Sequence, residues 1–192
     1  NGVGAVQLRG DRIDSGRPGG QIDAGRFNDR YFANGAGIGF DAKVSRIARD
    51  IRFPMGDLVY LLAVFRGIWD GVATPEVSIK YGDSNFEGAL TLVSFSNGPW
   101  IGGMFHMAPM ARNDDGMLEL VYAKAVTRRR IMTLLPKLLQ GTHIDEPEVI
   151  CSSFRKCEII AASPVPSHLD GEIQPLQTKF SVEILSNALR LL

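Results

Sequence analysis

The sequence predicts a β-rich α+β domain: a β-sandwich of antiparallel strands with two or three packed helices. Many short segments alternate apolar and polar residues and end at turn residues, which is typical of strands in a sandwich or flattened barrel. Two longer segments repeat apolar residues at helical spacing, and such helices pack against a face or an end of an antiparallel sheet. We expect residues 1–21 to be a lead-in segment and residues 22–192 to form the domain.

Length and composition fit one ordinary globular domain. The chain has 192 residues, of which 45% are hydrophobic and 22% charged, so a core can form without disulfides or structural metals. Lys and Arg equal Asp and Glu in number, which predicts no nucleic-acid partner, because such partners require a basic surface. No signal peptide is visible, and the most apolar stretch is too short to cross a bilayer. The two cysteines lack metal-ligand spacing, so we expect reduced thiols in a cytoplasmic protein.

The first elements follow from these patterns. The pattern from Gln21 to Asn28 predicts a strand. A predicted turn at Asp29 leads to a second strand that starts at Tyr31. This strand runs into residues 35–39, Gly-Ala-Gly-Ile-Gly, whose glycines permit close approach of another strand or of a ligand. The residue after the third glycine is Phe40, and the spacing does not match the dinucleotide fingerprint G-x-G-x-x-G, so a Rossmann site is rejected.

Two helical segments and three strands follow. Residues 41–50 carry apolar residues at short helical spacing, with Asp41 as the expected N-cap. Residues 56–68 predict a longer helix that is apolar on nearly every side, and we expect it to be largely buried. Alternation with a period of two then resumes, and it predicts strands at 77–81, 86–95 and 117–124.

A further helix is predicted over about residues 128–140, with Thr127 as N-cap and Gly141 as the residue that ends it. Its first turn carries Arg128–Arg130, which oppose the helix dipole. A solvated face is the expected use of these arginines, and contact with lipid headgroups is the alternative. Residues 149–161 and 178–186 are the last predicted strands.

Residues 168–172, His-Leu-Asp-Gly-Glu, form the first candidate site. In an extended segment Asp170 and Glu172 would point to the same side, because side chains alternate along a strand. Two carboxylates in one space can accept a proton, hold a metal, or do both. The alternative is a hairpin turn, since Asp-Gly is a common turn dipeptide. The local sequence favours the turn.

Residues 108–118 form a second acidic cluster. The cluster does not match an EF-hand loop, because aligning Gly116 with the invariant glycine would place the first ligand position at Ala111. One carboxylate with backbone carbonyls and waters remains as an oxygen site for Mg²⁺ or Ca²⁺, and a polar turn is the alternative. The sequence contains no Walker A motif and no Ser or Cys nucleophile signature, and its three histidines share no metal-ligand spacing.

The order of the motifs is more specific than any one of them. The motifs are residues 31–42, 96–103, 108–111 and 114–118, the helix that ends at 141–143, and residues 168–172. In this order they resemble the C-terminal domain of the diacylglycerol kinase catalytic-domain superfamily. That group includes bacterial lipid kinases and the sphingosine and ceramide kinases. The resemblance covers about residues 22–186.

The resemblance implies a two-domain kinase. An N-terminal domain with a Gly-Gly-Asp-Gly-Thr loop binds ATP, and lipid and ATP meet in the cleft between the domains. Glu172 would be the general base, and Asp170 would bind a metal-bound water or orient Glu172. A structural Mg²⁺ would be held by the carboxylate of Asp115 and the backbone carbonyls of Arg112 and Met117.

The nucleotide loop does not occur in these 192 residues, and the chain does not begin with Met. We therefore expect a domain fragment that is inactive alone, taken from an enzyme that phosphorylates a diacylglycerol-like lipid hydroxyl with ATP. The alternatives are a non-catalytic β-sandwich that binds lipid or protein, and a domain of the NAD kinase type. Any membrane contact is expected to be peripheral. The apolar candidates for a lipid groove are Met104, Phe105 and Met107, and exposed sheet edges can pair into a homodimer.

Overall fold

The structure is a computed structural model that describes residues 20–51 and 58–190. Residues 1–19 of the predicted lead-in lie outside the described residues. The helices are α1 (Phe40–Asp50), α2 (Leu58–Trp69) and α3 (Arg128–Gln140), and a 3₁₀ turn covers Thr142–Asp145. The strands are β1 (Gln21–Phe27), β2 (Arg30–Phe32), β3 (Gly35–Gly39), β4 (Glu76–Tyr81), β5 (Ser84–Ser96), β6 (Leu118–Lys124), β7 (Val149–Phe154), β8 (Lys156–Leu169) and β9 (Glu172–Arg190).

The strands form one antiparallel sheet in the order β2-β1-β9-β8-β3-β5-β6-β7. Both β3 and β4 lie between β5 and β8: β3 pairs with the C-terminal parts of these two strands, and β4 pairs with their N-terminal parts. The sheet thereby closes into a sandwich with a barrel-like arrangement. The prediction of a β-rich α+β sandwich is confirmed.

Two prolines lie where the strand register of the longest hairpin shifts. The register of β8 against β9 shifts between Ile160 and Val165 and again before Ser167. Pro164 and Pro166 lie in this stretch, and proline has no N–H to donate to a strand ladder. The interruption separates the half of β8 that pairs with β4 from the half that pairs with β3.

The main core fills the interior of the sheet. Along β5, Val93 and Phe95 point into this core, whereas Leu92 points to the helices, as the alternation of side chains along a strand requires. Four phenylalanine rings from four strands meet in edge-to-face or tilted contacts, which aromatic pairs prefer. These rings are Phe27, Phe95, Phe154 and Phe180.

The three helices form a layer on the outer face of the sheet, around Leu92 and Phe105. The caps of α3 are as predicted. The Thr127 hydroxyl accepts a hydrogen bond from the Arg130 N–H at 3.3 Å, and Gly141 ends the helix with φ of 76°.

Two boundary predictions are wrong in detail. The residue before α1 is Gly39, and Asp41 lies inside the first turn instead of capping it. The predicted strand 149–161 is two strands separated at Arg155, and the predicted strand 178–186 is the middle of β9. The β8–β9 hairpin is longer than its apolar pattern indicates, because both strands continue past the proline interruption to the turn.

The largest correction concerns α2, which we expected to be largely buried. Its inner side is buried, but four large apolar side chains on its outer side are exposed: Leu58, Leu62, Phe65 and Trp69. An apolar sequence favours burial but does not ensure that another element covers every face. Within the described part of the chain, no helix is long and apolar enough to span a bilayer.

Asp23 in β1 is a buried acid that joins three parts of the fold. Its side chain is about 1% exposed and accepts hydrogen bonds from the N–H groups of Gly116 and Asn187, each at 2.7 Å. Its own N–H donates to the carbonyl of Asn113 at 2.7 Å. One residue therefore holds the acidic loop and the end of β9 against β1.

Replacing Asp23 by Ala leaves two N–H groups without their acceptor. We expect the free energy of unfolding to fall by roughly 3 kcal/mol or more, since each bond to a charged group contributes about 1.5–3 kcal/mol. Urea unfolding measures this. The control is Thr127→Ala, which removes only a helix cap and should cost about 1 kcal/mol. Equal losses in the two variants would contradict the role given to Asp23.

Candidate functional site

The candidate acids lie at a two-residue turn between β8 and β9. Asp170 and Gly171 have φ of 46° and 84°, and Leu169 pairs with Glu172 across the turn. Positive φ at both central residues is the signature of a type I′ hairpin. The turn prediction is confirmed. The extended alternative is wrong, so the two acids do not share a face through strand alternation.

The Asp170 carboxylate is bound by three successive backbone N–H groups of the turn that joins β2 to β3. Ala33 donates to Oδ2 at 2.7 Å, and Asn34 and Gly35 donate to Oδ1 at 3.0 and 2.8 Å. The Asp170 N–H in turn donates to the Gly35 carbonyl at 2.8 Å. Successive N–H groups form an anion-binding concavity, and here the anion is a side chain of the same protein.

Glu172 is exposed and begins β9. Its backbone carbonyl accepts from the Gln174 side chain at 2.8 Å. Among the described residues, no group hydrogen-bonds or forms an ion pair with its carboxylate. Glu172 pairs with Leu169, and paired residues of antiparallel strands project to the same face. Glu172 therefore lies on the face of Leu169 and not on that of His168, yet it is exposed because it sits at the end of the hairpin. One acid of the turn is open to solvent, while the other acid holds the turn in place.

A buried His–Asp pair connects the turn to helix α1. The Gly171 N–H donates to Nδ1 of His168 at 3.3 Å, so the ring carries its proton on Nε2 when neutral. That nitrogen lies 3.1 Å from Oδ2 of Asp41 in α1. The two atoms are not aligned well enough for a regular hydrogen bond, so the contact is electrostatic. It joins the start of α1 to the turn.

Gly37 makes room for this pair. A Cβ on Gly37 would fall 2.5 Å from Nε2 of His168 and closer still to the Asp41 carboxylate. The groups that approach Gly37 are two side chains. The predicted close approach of another strand is confirmed at Gly35 and Gly39, where a Cβ would lie 3.2 and 3.1 Å from carbonyl oxygens of β5. Sequence reasoning missed the pairing of His168 with Asp41, because the two residues are far apart in the chain and no local pattern links them.

An apolar cavity of about 90 Å³ lies between the helical layer and the sheet. Phe105 and Met107 line it, as do Val44 from α1 and Val64 from α2. Tyr60 lies between the cavity and the turn, because its hydroxyl is 3.6 Å from the position of a Cβ on Gly171. The site thus combines an apolar interior with a polar rim.

Polar residues line part of the cavity wall, and Asp41 and His143 are the ionisable ones among its acids and histidines. Asp41 faces His168. His143 is buried, its Nε2 lies 3.0 Å from the Met107 carbonyl, and burial lowers the pKa of its ring. His143 is therefore neutral near pH 7, which keeps this wall of the cavity uncharged.

The second acidic cluster is a turn held by Asp23. Oδ1 of Asp115 accepts from the Met117 N–H at 3.0 Å, and the exposed Arg112 side chain lies 3.4 Å from Asp114. Among residues 20–51 and 58–190, no three His, Cys, Asp or Glu side chains come together as a metal site. The loop offers one carboxylate plus backbone carbonyls. Sequence reasoning missed Asp23, whose signal was a lone acid inside an apolar strand.

The two cysteines are unsuited to nucleophilic chemistry. Both are free thiols, on β7 and β8. Burial raises the pKa of Cys151 to about 11 and that of Cys157 to about 12. A thiol reacts as its thiolate, so neither residue is activated near pH 7.

Comparison with known proteins agrees with the motif order. A diacylglycerol kinase of Mycobacterium tuberculosis (strain ATCC 25618 / H37Rv) is 29% identical over 167 residues, which are 83% of this chain and 53% of that protein. A protein of Pectobacterium atrosepticum named "Probable lipid kinase YegS-like" is 30% identical over 174 residues, with 88% and 55% covered. The chain thus spans about half the length of the curated relatives it matches.

Solved structures share the fold. The crystal structure of a diacylglycerol kinase from Bacillus anthracis str. Sterne aligns with a TM-score of 0.60 at 18% identity, over 90% of this chain and 53% of that one. Another structure from the same organism aligns with a TM-score of 0.71 at 22% identity, over 90% and 56%. The family described as the YegS C-terminal NAD kinase beta sandwich-like domain matches residues 35–192. The resemblance to the lipid kinase superfamily is confirmed, and the chain belongs to this family.

Proposed function

We propose that this chain is the substrate-side domain of a lipid kinase that transfers the γ-phosphoryl group of ATP to a lipid hydroxyl. The observation that carries the proposal is the exposed Glu172 carboxylate on a turn fixed by Asp170. The names of the relatives support the reaction class. Because Gly-Gly-Asp-Gly-Thr is absent from the 192 residues, the proposal assigns ATP binding to a separate domain.

Glu172 acts as the general base in this proposal. Its carboxylate accepts the proton of the lipid hydroxyl as that oxygen attacks the γ-phosphorus in line and ADP leaves. A base must lie within hydrogen-bond reach of the proton it accepts, and an exposed carboxylate that has no partner among the described residues is available for that contact. Mg²⁺ bound with ATP would neutralise the phosphate charge that develops during such a transfer.

Asp170 acts mainly through position. Three backbone N–H groups occupy most of its acceptor sites, but a carboxylate has about four such sites. One direction remains for a metal-bound water, so the expected contact with active-site metal is retained beside the positioning role. The same residue would thereby set the distance between Glu172 and the nucleotide.

The apolar cavity is the proposed entrance for the lipid chain. An apolar cavity of about 150 Å³ holds one benzene molecule, so about 90 Å³ receives only the first few carbons of a chain. Tyr60 and Val64 belong to α2 and line this space. A longer chain therefore requires one of the elements that line the cavity to move outward.

A lipid-binding domain without catalysis is the second candidate, because the cavity alone would support it. The two candidates differ at Glu172. Replacing this residue should leave lipid binding unchanged in both cases. Only a kinase shows phosphorylation that this replacement slows. The NAD kinase alternative is supported only by the likeness of the sandwich that the family description names, whereas the names of the relatives favour a lipid kinase.

Glu172→Gln tests the base directly. We expect kcat to fall by about 10²–10⁴-fold with little change in KM for lipid, since general base catalysis contributes that much. The assay supplies the nucleotide-binding domain, ATP and a diacylglycerol. The matched control is Glu87→Gln, an exposed strand acid on the β4–β5 hairpin. A Glu172→Gln enzyme with an unchanged kcat would remove the assignment.

The loop at 112–117 is proposed as the structural Mg²⁺ site, formed by Asp115 with the carbonyls of Arg112 and Met117. The donor atoms are all oxygens, which suits this ion. One carboxylate oxygen of Asp115 is engaged by Met117 N–H, and the other is available as a ligand.

Thermal unfolding with and without MgCl₂ tests this site. Mg²⁺ at about 100 times its Kd should stabilise the chain by about 2.7 kcal/mol, and Asp115→Asn should remove most of that gain. The control Asp114→Asn, in the same loop, should keep it. Equal Mg²⁺ stabilisation of wild type and Asp115→Asn would rule out Asp115 as a ligand.

A further inference from the structure

His168 is a buried histidine to which the proposed reaction assigns no step. It is 2% exposed and lies on β8, in the segment that leads into the turn. Across the hairpin it pairs with Ile173, and on its other side it pairs with Gly37 of β3. The next pair along the hairpin is Leu169 with Glu172, which closes the turn. His168 therefore lies one residue pair away from the proposed base.

The backbone N–H of Gly171 needs an acceptor that the turn itself does not supply. A β-turn joins its first residue to its fourth, which here are Leu169 and Glu172, so the N–H of the third residue has no acceptor within the turn. Nδ1 of His168 accepts a hydrogen bond from this N–H at 3.3 Å. The imidazole therefore restrains the residue that directly precedes the proposed base.

The Asp41 carboxylate keeps the imidazole in the state that can accept this bond. A neutral histidine carries one ring proton, and Nδ1 accepts only when that proton is on Nε2. Oδ2 of Asp41 lies 3.1 Å from Nε2, and a bare Nε2 would place two unshared electron pairs against each other. Asp41 thus favours the proton on Nε2, which leaves Nδ1 to accept from Gly171.

The surroundings of the imidazole leave it little room to turn. The side chains of His168 and Asp41 are 3% and 10% exposed. Both side chains contact the bare backbone of Gly37, and Asp41 belongs to the first turn of α1. The ring is thus held between a strand and a helix. The acceptor for Gly171 is therefore fixed by the packed interior and not by the hairpin that it supports.

The exposed Glu172 carboxylate depends on its backbone for its position, since it has no partner among the described residues. Two contacts fix that backbone. Asp170 accepts from the turn at residues 33–35, and Gly171 donates to His168. A reacting group must be held within about 0.5 Å of its productive geometry, and supporting hydrogen bonds provide this precision. Each of the two turn residues is thus fixed by a different part of the domain.

We propose that His168 is a positioning residue for Glu172, and that Asp41 acts through His168 by setting its tautomer. The imidazole holds Gly171, and Gly171 sets the direction in which β9 begins with Glu172. This inference rests on the proposed function, in which Glu172 is the base. It predicts an effect on kcat and none on the KM for lipid, because a buried residue that acts through the backbone contacts no substrate.

Two substitutions at position 168 separate the two contacts of the ring. His168→Asn places an amide oxygen near the position of Nδ1, so it keeps an acceptor for Gly171 and loses the contact with Asp41. His168→Gln extends its amide to about the position of Nε2, so it keeps a partner for Asp41 and loses the acceptor for Gly171. Each variant is therefore the matched control for the other.

The kinase assay supplies the nucleotide-binding domain, ATP and a diacylglycerol. The kcat of His168→Gln should fall by roughly 10-fold to 100-fold, because a shift of about 1 Å at a reacting group costs about 10²-fold. The kcat of His168→Asn should stay within about threefold of wild type, because it retains the acceptor for Gly171. An unchanged kcat in His168→Gln, equal losses in the two variants, or a change in KM alone would overturn the proposal.

Thermal unfolding separates positioning from folding. His168→Asn leaves the buried Asp41 carboxylate without its partner, so it should be the less stable of the two variants, although it should be the more active one. A histidine that only stabilises the fold would give the opposite order, with activity following stability. That result would contradict a positioning role.

Proton–nitrogen correlation NMR of the histidine rings tests the tautomer in the wild-type chain and needs no substitution. We expect His168 to carry its ring proton on Nε2. His143 is the internal control, because its Nε2 lies 3.0 Å from the Met107 carbonyl oxygen and should also carry the proton. A proton on Nδ1 of His168 would exclude the contact with Gly171 on which the proposal depends.

The kinase proposal and the role of His168 can fail separately. An enzyme that Glu172→Gln slows and His168→Gln does not would overturn the role of His168 alone. A wild-type enzyme that phosphorylates no lipid would overturn the kinase proposal, and amide exchange at Gly171 would still decide whether His168 fixes the turn. His168→Gln should accelerate that exchange by about 2–10-fold, as expected for one neutral hydrogen bond, and unchanged exchange would contradict the contact.

Discussion

The carboxylate of Asp170 is the contact on which the candidate site depends. It accepts hydrogen bonds from the backbone N–H groups of three residues that precede it by 135 to 137 positions. Hydrogen bonds to an ionised acceptor are about twice as strong as neutral ones, so this contact fixes the β8–β9 turn against the turn that joins β2 to β3. Glu172 follows two residues later, and the same contact therefore fixes its position.

The helical layer is joined to the same turn by a second contact. Asp41 stands in the first turn of α1, where the helix dipole favours a negative charge, and it faces His168 over the bare backbone of Gly37. The walls of the apolar cavity and the turn that carries Glu172 are thus connected through one buried pair. In the proposed kinase, this connection would keep the turn that carries Glu172 in a fixed position relative to the cavity.

Local chemistry explains which features could be predicted from the sequence. Most strands follow from alternation, Thr127 and Gly141 cap α3 through interactions within a few residues, and Asp170-Gly171 forms its turn because both residues tolerate positive φ. The contacts that build the site are different in kind. Asp23 with Gly116, His168 with Asp41, and Asp170 with the turn at residues 33–35 join distant segments, which no local pattern reveals. The exposed side of α2 was unpredictable for a related reason: apolar residues indicate that a face favours burial, but not which element covers it.

Residue-resolved amide hydrogen exchange in wild type and Asp170→Asn most directly tests whether this carboxylate fixes the turn. Asn tolerates the positive φ of residue 170, so the hairpin geometry is kept while the charge is removed. Exchange at Ala33, Asn34 and Gly35 should accelerate by about 10–100-fold, which corresponds to the loss of about 1.5–3 kcal/mol. The control Asp29→Asn, at the turn between β1 and β2, should leave these amides unchanged. Equal protection of the three amides in Asp170→Asn and wild type would contradict the central role given to Asp170.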